Sequence, residues 1–129
     1  MFYVETSAAA KLVRSERGST PLRRWLASRD DRLFSSDLLR TELLRLARRA
    51  DPGLVVQART VLGGFTLLEL STSVCERAAT LGHSTVRSLD ALHLAAAMEL
   101  GDELEGIITY DERLADGAKA VGIPVVAPG

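Results

Sequence analysis

The residues in this sequence best suited to chemistry are carboxylates at the ends of apolar segments. Glu5 directly follows the segment FYV and precedes two hydroxyl side chains, Thr6 and Ser7. Asp111 follows GIITY in the same way, two residues after Thr109. Carboxylate oxygens, with hydroxyls beside them, suit a hard cation such as Mg²⁺ or Mn²⁺ better than zinc.

Two further carboxylates fall in helical segments, one inside the apolar arc of an amphipathic helix and one in a helix that we expect to be buried. Glu42 lies inside the apolar arc of the segment DLLRTELLRLARRA, and Asp90 stands near the start of LDALHLAAAMEL. A buried carboxylate needs a cation or several hydrogen-bond donors. Local explanations stay open at this point: Glu42 could pair with Arg45 or Arg49 at the edge of the arc, while Asp90 and Asp111 could cap their helices. The predicted arc consists of Leu38, Leu39, Leu43, Leu46 and Ala50.

Strand-like and helix-like segments alternate along the chain. Strands are predicted at 2–4, 32–36, 65–70, 106–110 and 123–127, and helices at 6–13, 22–29, 37–50, 54–63, 73–82, 89–100 and 111–122. Ser19 or Thr20 is expected to cap the second helix, and Ser73 with Glu76 has the spacing of a capping box.

This alternation predicts an α/β fold with three layers, a central and mainly parallel sheet flanked by helices. We expect one domain spanning residues 1–129. In such sheets the site lies beyond the carboxyl ends of the strands. Glu5, Ser35, Ser36 and Asp111 should therefore meet at one rim.

Composition restricts the class of protein further. The chain has 129 residues, 47% of them hydrophobic and 26% charged, which is typical of a globular domain. Its single cysteine, Cys75, excludes an internal disulfide, and no segment resembles a signal peptide or a membrane span, so a cytoplasmic location is expected. The formal net charge is −1, and every basic residue except Lys11 and Lys119 is an arginine. This bias suits phosphate binding, although a GC-rich genome would produce it as well.

For three other residues near these motifs we expect structural roles or exposure to solvent. We expect His93, one helical turn after Asp90, to be a hydrogen-bonded core histidine, and Trp25 to belong to the core. Asp116 is expected to be solvated and outside the site.

The stretches FYVETSA, SS with the later Glu42, SLDALHLAAA and TYDERLADGAKAVGIPVV resemble the four signature stretches of the PIN domain, in particular of VapC toxins from bacterial toxin–antitoxin pairs. The resemblance spans the chain in order. It implies a metal-dependent ribonuclease that cleaves RNA with metal-activated water, a homodimer, and a VapB-type antitoxin. It also implies that Glu5, Glu42, Asp90 and Asp111 are the catalytic acids that bind Mg²⁺ or Mn²⁺, with Thr6, Ser7 and Thr109 supporting them.

One departure from the family pattern leaves an alternative open. The family most often has Asp where this chain has Glu5, so a non-catalytic module that binds RNA or a partner through an altered pocket is the main rival. A receiver-type phosphotransfer domain fits poorly, because no lysine follows the last predicted strand.

Three expectations concern single residues and surfaces. Arg40, Arg45 and Arg113 flank the acids and are candidates for RNA binding. The apolar face near LRRWLA is expected to contribute to the antitoxin site. Replacing Glu5 with alanine is expected to leave the fold intact.

Overall fold

The computed structural model describes all 129 residues. Five strands are formed: β1 (Phe2–Val4), β2 (Leu33–Ser36), β3 (Thr66–Leu68), β4 (Gly106–Ile108) and β5 (Val125–Val126). Seven α-helices connect them: α1 (Thr6–Val13), α2 (Ser19–Ala27), α3 (Asp37–Ala50), α4 (Val55–Gly63), α5 (Thr72–Thr80), α6 (Ser88–Met98) and α7 (Glu112–Ala120).

The strands form one parallel sheet in the order β3-β2-β1-β4-β5. Tyr3 of β1 is in register with Phe34 of β2 on one side and with Ile107 of β4 on the other. The chain first builds outward from β1 to β3 and then returns to place β4 on the opposite side of β1. Strand order therefore reverses between β1 and β4, which is where ligands bind in open parallel sheets.

Helices cover both faces of the sheet, which confirms the predicted three-layer α/β fold. Phe2 and Val4 point toward α1 to α4, whereas Tyr3 points toward α5 to α7, as the two-residue period of a strand requires. Leu39 and Leu43 fill the first core and Leu94 and Leu114 the second, all at most 1% exposed. Each such leucine contributes about 1.5–3 kcal/mol by its burial.

Several helix boundaries differ from the sequence prediction. Helix α2 starts after Gly18, whose φ of 90° only glycine adopts readily, so neither Ser19 nor Thr20 caps it. The capping box predicted at Ser73 is wrong: Ser71 caps α5, its hydroxyl accepting from Val74 N. On α3, Ala47 is buried and Ala50 is exposed, which shifts the predicted apolar arc.

Close packing of α7 on α6 brings two of the candidate acids to one side of the sheet. A Cβ atom at Gly117 would lie 3.3 Å from Leu94 Cδ1, so the absence of a side chain there permits this approach. Asp111 at the start of α7 and Asp90 near the start of α6 therefore lie at the same end of the helical layer.

None of the helices combines the length and the hydropathy that a membrane span requires.

Candidate active site

Glu5 and Asp111 follow the two central strands at the point where strand order reverses. Glu5 comes directly after β1, and its amide donates to the Ile108 carbonyl at the end of β4. Asp111 stands three residues after the end of β4. Glu5 and Asp111 therefore lie at the carboxyl edge of the sheet, as predicted. Ser35 and Ser36, predicted at the same rim, are fully buried, with Ser35 donating to the Val4 carbonyl and Ser36 accepting from the Tyr3 hydroxyl.

Glu5 is buried and fully engaged by neighbouring donors. Its Oε1 accepts from Ser7 N at 2.8 Å, which caps α1. Its Oε2 accepts from the Ser7 hydroxyl at 2.7 Å and from the Thr109 hydroxyl at 2.5 Å. The Ser7 oxygen in turn accepts from Tyr110 N at 2.8 Å, so this carboxylate ties α1 to the segment after β4. The two supporting hydroxyls predicted at Ser7 and Thr109 contact Glu5 directly.

These contacts change the expectation for Glu5→Ala. The side chain is 6% exposed, and its removal would leave Ser7 N and the Thr109 hydroxyl without their acceptor. An unpaired buried donor costs about 1–3 kcal/mol. We therefore expect Glu5→Ala to destabilise the fold, contrary to the sequence-based expectation.

Glu42 projects from α3 to the first turn of α1 and the second turn of α6. Its Oε1 accepts from the Thr6 hydroxyl and is also 2.6 Å from His93 Nε2, while its Oε2 makes no hydrogen bond. Burial alone would raise the pKa of Glu42, but the hydrogen bonds from His93 and Thr6 outweigh it and hold this pKa below its usual value. The pairing of Glu42 with Arg45 or Arg49 that the sequence left open does not form.

Asp90 is partly buried and has neither a hydrogen bond nor an ion pair to the rest of the chain. Burial raises its pKa, and the negative charges of Asp111 and Glu5 raise it further. The alternative that Asp90 caps α6 is wrong, because Arg87 occupies the cap position and no side chain bonds the first amides of the helix. The charges of His93 and Arg87 oppose this rise in the pKa, but neither forms an ion pair with Asp90.

Asp111 does cap its helix. Its Oδ1 accepts from Arg113 N at 2.9 Å and from Leu114 N at 3.3 Å. Its Oδ2 makes no such bond, and the residue is exposed. The capping role and a role in binding a ligand are therefore compatible for this carboxylate.

Asp90 and Asp111 line one open cleft of about 570 Å³. Its walls are polar throughout: Arg87, Asp90, Asp111, Glu112, Arg113 and Asp116. Asp116 is exposed, as expected, yet it borders this cleft. Arg113 is the one predicted arginine that borders the cleft, and Arg87 is an addition that the sequence did not indicate.

The other two predicted arginines lie elsewhere. Arg40 is within 3.5 Å of Asp37 on its own helix and lines a separate cavity of about 530 Å³ with Arg59 and Phe65. Arg45 is exposed on α3 and borders neither cavity. The predicted set of three arginines is therefore not assembled around one site.

The chemistry of the donors fits a hard divalent cation. Three carboxylates offer oxygen atoms that accept no hydrogen bond from the protein: both oxygens of Asp90, Oδ2 of Asp111 and Oε2 of Glu42. No three acidic, histidine or cysteine side chains converge closely enough to hold a metal ion as they stand. Mg²⁺ usually takes one or two carboxylates and fills its other positions with water and phosphate, which Asp90 and Asp111 could supply. The four-carboxylate ligand set stays a prediction.

Sequence reasoning missed how the side chains of Tyr3, Ser36 and His93 are connected. The Tyr3 hydroxyl is 2.8 Å from both Ser36 Oγ and His93 Nδ1, and burial raises the pKa of the Tyr3 phenol far above its usual range. His93 is 2% exposed, which confirms the expected core histidine. The spacing of His93 one helical turn after Asp90 indicates that the imidazole lies near the candidate acids. Nothing in the sequence indicates that Glu42 is its hydrogen-bond partner.

Trp25 and Leu26 of the LRRWLA segment are partly buried and pack against the first core. The Phe2 and Trp25 rings meet edge to face with centroids 5.1 Å apart. Trp25 is thus attached to the core, as expected.

Comparison with known proteins agrees with this geometry. The model of the PIN domain family matches residues 2–120. The chain is 43% identical to Ribonuclease VapC47 of Mycobacterium tuberculosis and 39% identical to Ribonuclease VapC35 of the same species, each time over the whole of this chain and 98% of the relative.

Two solved structures share the fold at lower identity. One is M. tuberculosis VapC20, described as a toxin that cleaves the sarcin-ricin loop, with a TM-score of 0.77 at 17% identity over 99% of this chain and 100% of that one. The other is a toxin–antitoxin complex from Klebsiella pneumoniae, with a TM-score of 0.74 at 22% identity over 100% of this chain and 98% of that one. With its full-length relatives and its parallel sheet, the chain belongs to the PIN domain family and is a member of the VapC type.

Proposed function

We propose that this protein is a ribonuclease dependent on Mg²⁺ or Mn²⁺, and the toxin of a VapBC-type pair. The observation that carries the proposal is the cleft that Asp90 and Asp111 line together, next to Arg87 and Arg113 but without an ion pair to either arginine. Carboxylates suit a metal ion, and arginines suit the phosphates of a nucleic acid. The full-length identity to proteins named ribonucleases supports RNA as the substrate.

A divalent ion at Asp90 and Asp111 would supply the charge that polarises a phosphodiester and makes water a nucleophile near neutral pH. The residues of the chain would hold this ion and the RNA. Arg113 and Arg87 are positioned to bind phosphates that flank the cleaved bond. Glu42 offers Oε2 as a further acceptor, for the ion or for a water molecule. Glu5 would contribute negative charge near the ion, while its hydrogen bonds to Ser7 and Thr109 fix the carboxyl edge of the sheet. No side-chain nucleophile is required.

Cleavage of RNA by the purified protein tests the proposal. We expect cleavage with Mg²⁺ or Mn²⁺, none after chelation with EDTA, and recovery when excess metal is added. Asp90→Asn keeps the size of the side chain and removes its charge, so it should lower the rate by on the order of 100-fold, the effect typical of losing one electrostatic contact to a transition state. Glu103→Gln, an exposed change away from the cleft, is the matched control. Cleavage that is equal with EDTA, or equal in Asp90→Asn, would refute the proposed mechanism.

The alternative is a PIN module that binds RNA or a partner without cleaving. The full engagement of Glu5 by three donors favours it, because that carboxylate is not free as it stands. The same assay separates the two: the alternative requires RNA binding with no cleavage under any metal condition.

A VapB-type antitoxin is the partner we propose, and the toxin–antitoxin complex with the same fold supports it. A cleft rich in carboxylates would accept an arginine or lysine from that partner. We also propose a homodimer of one-domain subunits acting on RNA in the cytoplasm. Expression without the antitoxin should arrest growth, and co-expression with a VapB-type antitoxin that binds this protein should restore growth.

A further inference from the structure

His93 joins the two helical layers of the fold through its side chain. Its Nδ1 lies 2.8 Å from the Tyr3 hydroxyl and its Nε2 lies 2.6 Å from Glu42 Oε1. Neither ring nitrogen bonds a backbone group, although buried histidines commonly do so. The imidazole is therefore fixed at both ends by side chains from β1 and α3.

The hydrogen-bond network defines which atoms donate. Glu42 accepts as an ionised carboxylate, so His93 Nε2 carries a proton. The Tyr3 hydroxyl donates to Ser36 Oγ and lies 2.8 Å from His93 Nδ1. The contact to Glu42 is therefore made by Nε2, and the contact to Tyr3 by the opposite nitrogen of the ring.

This contact restricts Glu42 to one orientation. Oε1 accepts from both His93 and Thr6, whereas Oε2 makes no hydrogen bond. A glutamate without such contacts must lose rotamer freedom whenever it binds a ligand. With Oε1 already fixed, the free oxygen is pre-organised. Helix α6 thereby positions two of the candidate acids. Asp90 is one of its own residues, and Glu42 is hydrogen-bonded to its residue His93.

We propose that His93 is a positioning residue that holds Glu42 for the divalent ion or its water, with Tyr3 and Ser36 holding His93 in turn. The inference rests on the proposed function, since it concerns the same site. Partners that orient the ligands of a metal typically change its affinity by about 10–100-fold.

A pair of substitutions separates the two ends of the imidazole. His93→Gln places an amide near the position of Nε2 and can still donate to Glu42. His93→Asn places its amide near the position of Nδ1, so it can reach Tyr3 but not Glu42. Both variants keep a buried polar group, so they form a matched pair. His93→Leu would not serve, because it would leave Tyr3 and Glu42 without their hydrogen-bond partner. Leu94→Ala, a buried change on the same helix, controls for destabilisation.

The primary measurement is the affinity for Mn²⁺ alone, by titration calorimetry, well below the unfolding temperature of each variant. We expect His93→Asn to weaken Mn²⁺ binding by about 10–100-fold, His93→Gln to stay within about 3-fold of the unaltered protein, and Leu94→Ala to lower only the unfolding temperature. In RNA cleavage at saturating Mn²⁺, His93→Asn should lower kcat more than it raises KM, because Glu42 is not proposed to bind RNA.

Equal Mn²⁺ affinity in the Asn and Gln variants would overturn the inference and leave His93 as a packing residue. If Glu42→Gln weakens Mn²⁺ binding while both His93 variants bind normally, the proposed function stands and this inference alone fails. If the unaltered protein binds no Mn²⁺ and leaves RNA intact, both fail together.

Discussion

The two glutamates of the site both accept hydrogen bonds, but they differ in how many of their carboxylate oxygens are bonded. Glu5 accepts hydrogen bonds at both oxygens and is 6% exposed, whereas Glu42 accepts at Oε1 only. Hydrogen bonds to a carboxylate stabilise its charge and also use up the lone pairs that a metal would need. The Glu5 carboxylate is therefore occupied by donors of the chain, and the candidate acids that line the open cleft are Asp90 and Asp111.

This difference predicts opposite effects of two alanine substitutions on stability. Glu5→Ala removes a helix cap and leaves buried donors unpaired, so it should lower the free energy of unfolding by about 1–3 kcal/mol. Asp90→Ala removes a carboxylate that is repelled by its neighbours and bonded to nothing, so it should leave stability equal or slightly higher. Urea unfolding monitored by circular dichroism measures both. A fold that tolerates Glu5→Ala as well as Asp90→Ala would show that the bonds to Ser7 and Thr109 contribute little.

Glu5→Asp tests whether the pocket is adjusted to the longer side chain. The shorter carboxylate can still cap α1 at Ser7 N but should not reach the Thr109 hydroxyl, which lies 2.5 Å from Glu5 Oε2. We expect a modest loss of cleavage, below the roughly 100-fold that a misplacement of 1 Å can cause. The rate of RNA cleavage at saturating metal is the measurement, with Thr109→Ser as a control that keeps the hydroxyl. A gain of about 10- to 100-fold would instead mean that Glu5 impairs the site.

At the scale of elements, the sequence predicted the order of strands and helices and the parallel three-layer sheet. These follow from apolar segments of strand or helix length, which are local patterns. Helix ends were predicted less well, because Ser71 and Ser73 are both acceptable caps and only the three-dimensional path of the chain selects between them. The positions of the four acids were also local features. Their partners were not, since Glu42 and His93 are 51 residues apart and meet only across two packed layers.

The cap of α5 gives a direct test at this scale. Ser71→Ala removes the acceptor of Val74 N and should lower the free energy of unfolding by about 1 kcal/mol. Ser73→Ala, two residues away and also exposed, should have almost no effect. Thermal unfolding of the two variants, compared with the unaltered protein, measures the loss of stability that each substitution causes. A larger loss in Ser73→Ala would support the capping box that the sequence suggested.

At the scale of the whole molecule, the charge is nearly balanced and cannot by itself attract RNA. The formal net charge is −1, and the cleft contains more carboxylates than arginines. On the proposed function, RNA binding would require local contacts between arginines and phosphates, together with a divalent ion that offsets the charge of Asp90, Asp111 and Asp116. It follows that metal and RNA should each strengthen the binding of the other.

The salt dependence of RNA binding distinguishes the arginines that border the cleft from the rest. In an Asp90→Asn background, in which cleavage is expected to be slowed by on the order of 100-fold, the slope of log affinity against log salt should decrease by about 0.7 for each phosphate that an arginine no longer neutralises. We expect Arg113→Ala and Arg87→Ala each to cause such a decrease, since both border the cleft. Arg24→Ala, an exposed change on α2, should leave the slope unchanged. Fluorescence anisotropy with a short single-stranded RNA, at several salt concentrations and constant Mg²⁺, gives the slopes. If Arg40→Ala or Arg45→Ala lowered the slope while Arg113→Ala did not, the RNA would follow the α3 face, and the cleft beside Asp111 would not be its binding site.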